Sequence, residues 1–498
     1  MSENVHTAVP PEQPLDSSLE RNLERLRVMT GGSSDVIIKN GMLCGKEIAV
    51  ITCEGMASTD TLAQLVFNKL NDVDNTKELP PDDIMDRLFN DYLIAAEQLD
   101  VKNIGDLVLK MQSGFAIILV NGCSRAIAIG IQGYAARGVD EPSGELNVRG
   151  SREGFVEVIR KNMALIRRRI KSPTLVFEMS VMGERSNTDI CLCYLSDKVS
   201  PKLLSDVKKR LSEVKLNTIL ESGYLQPFLE GDGGWFFSEC GTCERPDSFC
   251  AKLYEGRVGI LVDGTPFALT VPYLFIENFQ TLDDYTQKPF YALFIRIVRL
   301  AAYFITLFLP GAYVAVASFS PEMLPSPLLL NLAAAEQAAP FSLMAECLLI
   351  HFMYEILREA GIRLPRPIGH AIGVVGGIVI GDITVNAGLV GAPMVLIVAL
   401  SGLCSFVVPA LYERTVVLRF IYILAGGLFG LFGLLLAAGV IIIKMCSLNT
   451  YGVPYMAPIS PFSPKSSRDM LVRAGWRRLQ KGDVTIQGLN GSHMSGGQ

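Results

Sequence analysis

The sequence predicts a cytosolic N-terminal region of two α/β (or α+β) subdomains followed by an all-α, multi-pass membrane domain. Three observations predict it. Charge is split: of 498 residues, 1–288 hold 31 Lys+Arg and 41 Asp+Glu, a net −10, whereas 289–498 hold 14 and 9, a net +5. The stretch 290–446 carries only 15 charged residues in 157, most of them at the edges of five apolar runs. Strand-like and helix-like patterns alternate along 35–288, punctuated by Asn-Gly and Asp-Gly turn signals. The apolar half excludes a wholly soluble enzyme, and the acidity of the first half argues against nucleic acid as a partner.

Residues 1–34 are expected to be a disordered leader holding one short charged helix over 19–29. The first thirty residues lack the apolar core of a secretory signal, which places the N-terminal region in the cytosol. Subdomain one is assigned to 35–145. Strands are expected at 36–38 and 48–51 about the Asn40-Gly41 turn signal, helices over 59–70 and 83–97, and a second hairpin at 115–120 and 126–129 across Asn121-Gly122. Subdomain two is assigned to 146–288. A loop rich in Gly, Pro and acid precedes it at 138–150, and a basic helix spans 152–171, ending before Pro173. Strands follow at 175–182 and 188–195, a charged helix at 201–211, and a last hairpin at 258–262 and 267–271 about Asp263-Gly264.

The membrane domain is assigned to 289–446, with four to six spans. Its apolar runs are 290–319, 341–360, 368–390, 393–411 and 420–443, and a shorter one at 327–335 suits a re-entrant or interfacial helix. Arg296, Arg299, Arg358, Arg363, Arg366, Arg414 and Arg419 sit where the positive-inside rule wants a cytosolic N-terminus. The tail, 447–498, carries six Lys/Arg against Asp469 and Asp483 and is read as cytosolic. Five spans would put it outside, so either one run does not cross or the 327–335 run helps to make a sixth crossing.

Three polar patterns stand out. The 152–171 segment holds Arg152, Arg160, Lys161, Arg167, Arg168, Arg169 and Lys171 against Glu153 and Glu157. It reads as a subunit or subdomain interface pairing with acids such as Glu141 and Glu145, as a solvated basic helix, or as a site for anionic headgroups. In 368–390, Gly369, Gly373, Gly377 and Gly381 recur every fourth residue, with Asp382 and Asn386 four apart beyond them. That is tight packing within the subunit, or a pore-lining helix with an Asp382/Asn386 ring favouring cations. Glu346, His351 and Glu355 share half of one helix, and are expected to pair with Arg296 or Arg299, or to relay protons or cations. Cys240, Cys243 and Cys250 lack a second pair at zinc spacing, so neither metal nor cofactor is expected, and no nucleophile or paired-carboxylate constellation points to an enzyme.

A run of motifs closely resembles one family. Gly150-Ser151-Arg152-Glu153-Gly154-Phe155 continues to Ala164-Leu165-Ile166-Arg167-Arg168-Arg169-Ile170-Lys171-Ser172-Pro173. Leu220-Glu221-Ser222-Gly223-Tyr224, Glu244-Arg245-Pro246-Asp247, Asp263-Gly264-Thr265-Pro266-Phe267, Met323-Leu324-Pro325, Glu355-Ile356-Leu357-Arg358-Glu359-Ala360-Gly361 and Gly452-Val453-Pro454-Tyr455 follow in order. The chain resembles the A subunits of spore germinant receptors, the GerA family, over about 35–460. Departures lie at 331–340 and at His370. The resemblance implies a spore inner-membrane receptor subunit. Its partners would be a transporter-like B subunit that binds the germinant, a lipoprotein C subunit, other copies of itself and membrane lipids. It also implies a nutrient-gated ion channel releasing monovalent cations. The competing reading is a non-conducting scaffold or accessory protein that assembles receptors.

Overall fold

The computed structural model describes residues 13–71, 73, 78–93, 97–131, 133, 144–145, 149–230, 236–365, 373, 376–462, 469–470, 475 and 485–493. Structure begins well inside the expected leader. Helix α1 (Leu19–Met29) buries Leu19, Leu23 and Leu26, and Leu15 ahead of it is buried too. Spacings of four and three place the helix leucines on one stripe. They join the core of the first sheet, so the leader assignment is corrected from residue 13 onward.

That sheet is antiparallel throughout. Strands β1 (Val36–Leu43) and β2 (Lys46–Cys53) pair from Val36↔Cys53 to Leu43↔Lys46. The turn is therefore Cys44-Gly45, not Asn40-Gly41, which lies within β1. Both turn residues have positive φ, 49° and 75°, as a two-residue hairpin of primed type requires. Next come α2 (residues 59–71) and α3 (residues 81–92), each passing through one π-helical turn, at Ala63–Phe67 and Leu88–Tyr92. Strand β3 (Gln98–Val101), helix α4 (Ile104–Gln112) and strands β4 (Phe115–Val120) and β5 (Ala126–Gly130) complete the unit. The strand order is β1-β2-β4-β5-β3. Alternate residues face two cores: Ala49, Ile51, Ile117 and Leu119 pack on α1 and α4, while Ile48, Val50, Ile118 and Val120 pack on α2 and α3.

The second unit repeats this plan. Helix α5 (Ile159–Arg169) precedes β6 (Leu175–Met182) and β7 (Thr188–Leu195). Then follow α6 (Pro201–Ser212), α7 (Gln226–Leu229), β8 (Gly241–Cys243), α8 (Pro246–Tyr254), β9 (Val258–Val262) and β10 (Ala268–Val271). The order β6-β7-β9-β10-β8 is that of the first sheet strand for strand, again antiparallel, with α5 and α8 on one face and α6 and α7 on the other. Two antiparallel sheets with helices on their faces make the N-terminal half α+β.

A buried ion pair joins the units. Arg167 of α5 donates to Asp35 at the mouth of β1 from Nε (2.8 Å) and Nη2 (3.0 Å), both side chains almost fully buried. Its remaining donors reach the carbonyls of Ser172 (3.1 Å) and Leu175 (3.0 Å), and its plane lies 4.9 Å from the Phe177 ring. Ser33 accepts from the Phe177 amide, so the chain entering β1 runs along β6. Gly55 lets the two units close: a side chain there would start 2.8 Å from Ala164 Cβ.

Short helix α9 (Asp283–Thr286) leads into the apolar half, which is a helical bundle. Helix α10 (Pro289–Phe319) leaves the sheet module, and α11 (Ser326–Ala338) caps the far end. Helix α12 (Leu343–Arg363) returns, its Glu346 level with Tyr313 and its His351 level with Thr306 across Ser401. Segment α13 (residues 376–386) runs outward again, from Gly376 against Leu357 to Gly391 against Glu346. Helix α14 (Ala392–Ser405) comes back. At 14 residues, about 21 Å, it is shorter than the expected 393–411 span.

Helix α15 (Tyr412–Ser447) departs furthest from its pattern. It breaks at Gly430, whose φ of 63° and ψ of −152° only glycine adopts freely. A side chain on Gly311 would start 2.6 Å from Tyr422 O and 3.1 Å from Leu434 Cδ1, although 12 residues of straight helix would separate those two by about 18 Å. The expected single span over 420–443 is therefore two antiparallel legs.

Six legs bring the chain back to its starting end. There the ribbon β11 (Asn449–Thr450) and β12 (Val453–Pro454) leads Tyr455 onto Phe275, and Tyr451, Val453, Ile486 and Leu489 are buried in the core of the second sheet unit. The described tail residues thus pack on the module.

Arg167→Gln or Asp35→Asn leaves a buried charge unpaired, so each is expected to cost about 3–5 kcal/mol. The double variant should cost clearly less than the sum of the two. Urea unfolding of the full chain, read by hydrogen exchange of the β1 and β6 amides, checks both statements.

Candidate functional site

Four polar groups organise the molecule. The basic helix is shorter than its motif, because 152–158 is extended and held by Asn162, which bonds both the amide (2.9 Å) and the carbonyl (2.6 Å) of Val156. Arg160 pairs with Glu54 of the first unit (2.6 Å), as Arg167 does with Asp35. Arg168 and Arg169 both pair with Glu153. Burial opposes the Glu153 charge, but the two guanidiniums outweigh it and hold the carboxyl below its usual range. Arg152 is exposed and makes no ion pair among the described residues. Of the acids expected to meet these basic residues, Glu141 lies outside the described residues and Glu145 sits elsewhere.

Glu145 belongs to a strap over β8. The Gly144 amide donates to Glu244 (3.3 Å), and Arg245 donates to the carbonyls of Glu145 (3.3 Å) and Ser151 (2.7 Å). The Phe155 amide donates to the Glu244 carbonyl (2.7 Å). Burial and the neighbouring Glu244 push the Glu145 carboxyl up to about 7.

The joint between module and bundle is a second cluster. Arg296 donates from Nε to Asp284 (2.8 Å) and from Nη1 to Asp469 of the tail (3.0 Å), while Arg299 donates to Asp284 (2.8 Å) and to Thr281 (3.0 Å). Arg296 and Asp284 are each 1% exposed. Tyr285 also donates to Asp469 (2.7 Å). Arg299, expected as an intramembrane polar residue near the start of the first span, lies at the module end of α10, where Asp284, one short helix upstream, holds it.

Inside the bundle, one face of α12 carries the third cluster. Glu346 accepts from the Gly391 amide (2.6 Å), at the start of α14. His351, fully buried, bonds Cys347 O (2.9 Å) and Ser401 Oγ (3.2 Å). Glu355 accepts from Arg419 and from Tyr412, and Arg358 lies 3.1 Å from the centre of the Tyr412 ring. The expected pairing of these acids with Arg296 or Arg299 does not form, since those arginines are consumed at the joint. Arg419 is the partner that sequence reasoning missed; it lies 64 residues from Glu355, and no spacing rule connects them.

The fourth group is the glycine stripe. Among the described residues, a side chain on Gly373, Gly377 or Gly381 would meet nothing within 4 Å, whereas Gly376 packs against Leu357. Asp382 and Asn386 are exposed and bonded to each other (2.8 Å), and residues 379–383 form a π-helical turn. Arg366, Gly369 and His370 lie outside the described residues. Among the described residues no three His, Cys, Asp or Glu side chains converge as a metal would need. Cys191 and Cys193 are buried side by side, Sγ to Sγ 3.8 Å, and Cys243 faces Glu145.

The family model described as Bacillus/Clostridium GerA spore germination protein matches residues 24–484. The chain belongs to the GerA family. This GerA-family chain is 37% identical over 470 residues to spore germination protein KA of Bacillus subtilis (strain 168), covering 93% of this chain and 85% of that one. It is 34% identical over 492 residues to the uncharacterized membrane protein YfkQ of the same organism, covering 96% and 93%. Among solved structures it is similar to the N-terminal domain of the A subunit of the Bacillus megaterium spore germinant receptor GerK3, with 28% identity and a TM-score of 0.39, covering 53% of this chain and 98% of that one. Among the described residues, two helical stretches, Pro289–Phe319 and Pro409–Ser447, the second of which reverses at Gly430, are long and apolar enough to cross a membrane.

The Glu145 carboxyl is proton-bound in the fold over a range, about pH 4.5 to 7, in which the unfolded chain has lost its proton. Its contribution to stability is therefore full at acid pH and is lost as pH rises through about 7. The strap amides of 149–155, corrected for intrinsic exchange, should exchange faster at pH 8 than at pH 6. Glu145→Gln should remove that difference.

Proposed function

We propose that this chain is the A-type subunit of a germinant receptor and that several copies form a nutrient-gated channel for monovalent cations. The family supports the receptor role. The channel reading rests on the glycine stripe: Gly377 and Gly381 on α13, with Gly373 just ahead of it, meet no other side chain among the described residues, which suits close approach by another copy. Asp382 and Asn386, exposed beside them at a π-helical turn, supply oxygen atoms that attract cations. The basic helix is read as an interface within the module, where it carries motion between the two sheet units.

A multi-pass layout supports this reading. The six legs return the tail to the module, and cations gather at the module end, with Lys288, Arg358, Arg363, Arg414 and Lys444, while the far end carries Glu322 and Glu336. That asymmetry supports a cytosolic module and tail. The implied partners are a transporter-like B subunit that takes the germinant, a lipoprotein C subunit and the lipids of the spore inner membrane. Gating would come from different contacts in two packings of the oligomer, biased by the partner's ligand. The polar seam of Glu346, His351 and Glu355 fixes the packing of α12 against α14 and α15 in this scheme.

Ion flux through liposomes holding the chain with its partner subunits and a germinant tests the proposal. Wild type is expected to pass potassium. Gly377→Leu should lower the flux about tenfold or more by blocking the close approach, and Asp382→Ala should weaken the preference for cations over chloride. A silent wild type that still assembles with its partners would make the chain a scaffold and the stripe ordinary packing.

A further inference from the structure

The first sheet unit contains a cavity of about 110 Å³ between the β1–β2 turn and helix α3. Leu43, Leu79, Ile84 and Leu88 supply aliphatic walls, and Arg87 and Tyr92 are its polar lining. We propose that this cavity binds a small aliphatic carboxylate.

Three observations carry the inference. The aliphatic walls are side chains of the core that packs α2 and α3 on the sheet. A space of this size takes a molecule of about five to seven heavy atoms, since a cavity of about 150 Å³ accepts benzene. In the second unit, built on the same strand order, the corresponding layer is filled by Leu203, Val207, Leu225 and Leu229 together with Tyr451 and Leu489 of the tail.

The second observation is the charge. Arg87 is exposed at the rim of the cavity and makes no ion pair among the described residues, although Asp83 and Asp91 lie one turn to either side on the same helix. Other nearby acids are committed: Asp86 pairs with Arg125, and Asp82 accepts from Cys123 (3.2 Å). A guanidinium beside an aliphatic cavity selects a planar carboxylate, which it holds through paired N–H donors.

The third observation is local geometry. Leu88 and Tyr92 are the first and last residues of a π-helical turn. Such turns are rare and concentrate at functional sites, because the extra residue widens the helix and re-aims side chains. The site lies in the sheet module and is independent of the channel reading.

The test uses the full chain in detergent, with isovalerate as the probe. Isoamyl alcohol, which lacks the charge, and acetate, which lacks the aliphatic body, are the comparisons. Binding is read by ligand-observed NMR and by slowed amide exchange over 81–92. Saturable isovalerate binding, at least about tenfold tighter than that of either comparison, is expected. Arg87→Gln should remove that advantage without changing isoamyl alcohol binding, and Leu79→Phe should abolish both by filling the space. Equal binding of isovalerate and isoamyl alcohol overturns the carboxylate assignment, and the absence of saturable binding overturns the site. Wild type alone decides both points if a variant does not fold.

Discussion

Both ends of the apolar half are tied to the same sheet unit, and the rest of the architecture depends on that constraint. Pro289 begins α10 directly after Asp284, which Arg296 and Arg299 hold, and Tyr455 returns to Phe275 after the last leg. A chain tied at both ends to one body must leave and return an even number of times. Five apolar runs cannot satisfy this alone, and the reversal at Gly430 supplies the missing leg. A residue bearing a Cβ at φ 63° and ψ −152° would be strained, so the topology depends on one glycine.

The buried charges follow a common rule. Among the described residues, three of the five buried arginines meet a carboxylate from another part of the chain, Arg167 with Asp35, Arg296 with Asp284 and Asp469, and Arg419 with Glu355, while Arg245 pairs with nearby Asp247 and Arg257 with Glu255 and Glu277. Such pairs add little net stability compared with apolar packing, but a lone partner is costly, so they specify which surfaces can meet. The joint illustrates it. Two arginines and Asp284 carry a net positive charge, and Asp469 of the tail neutralises it. Docking of the tail is thereby coupled to the position of α10.

Much of this is legible from residue pattern. Helix α10 lies within a residue of its apolar run, and strands β4 to β7 and β9 stand close to where alternation and turn signals put them. Strands β3 and β8 escape the pattern because they are only four and three residues long and sit at sheet edges, too short for any period to register. The first hairpin is misplaced by its sequence, since Asn40-Gly41 is a strong turn pair, yet the ladder runs through it to Cys44-Gly45. The docking of helix α1 is concealed by its charges, although its leucines suffice to bury one face. At the candidate sites, sequence spacing identifies the polar residues but not their partners. Arg419 and Asp469 are brought in by packing across 64 and 173 residues. Direction inside an apolar run carries no pattern, so one reversing glycine among Gly426, Gly427, Gly430, Gly433 and Gly439 could not be singled out.

Side-specific thiol labelling tests the even-traverse account most directly. In a background lacking Cys404 and Cys446, single cysteines would replace Ser205 on the module, Ser460 on the tail and Glu322 at the far end, all exposed. With the protein in sealed vesicles, an impermeant reagent should label positions 205 and 460 from one side and position 322 from the other. Labelling of 460 together with 322, opposite to 205, would contradict the account.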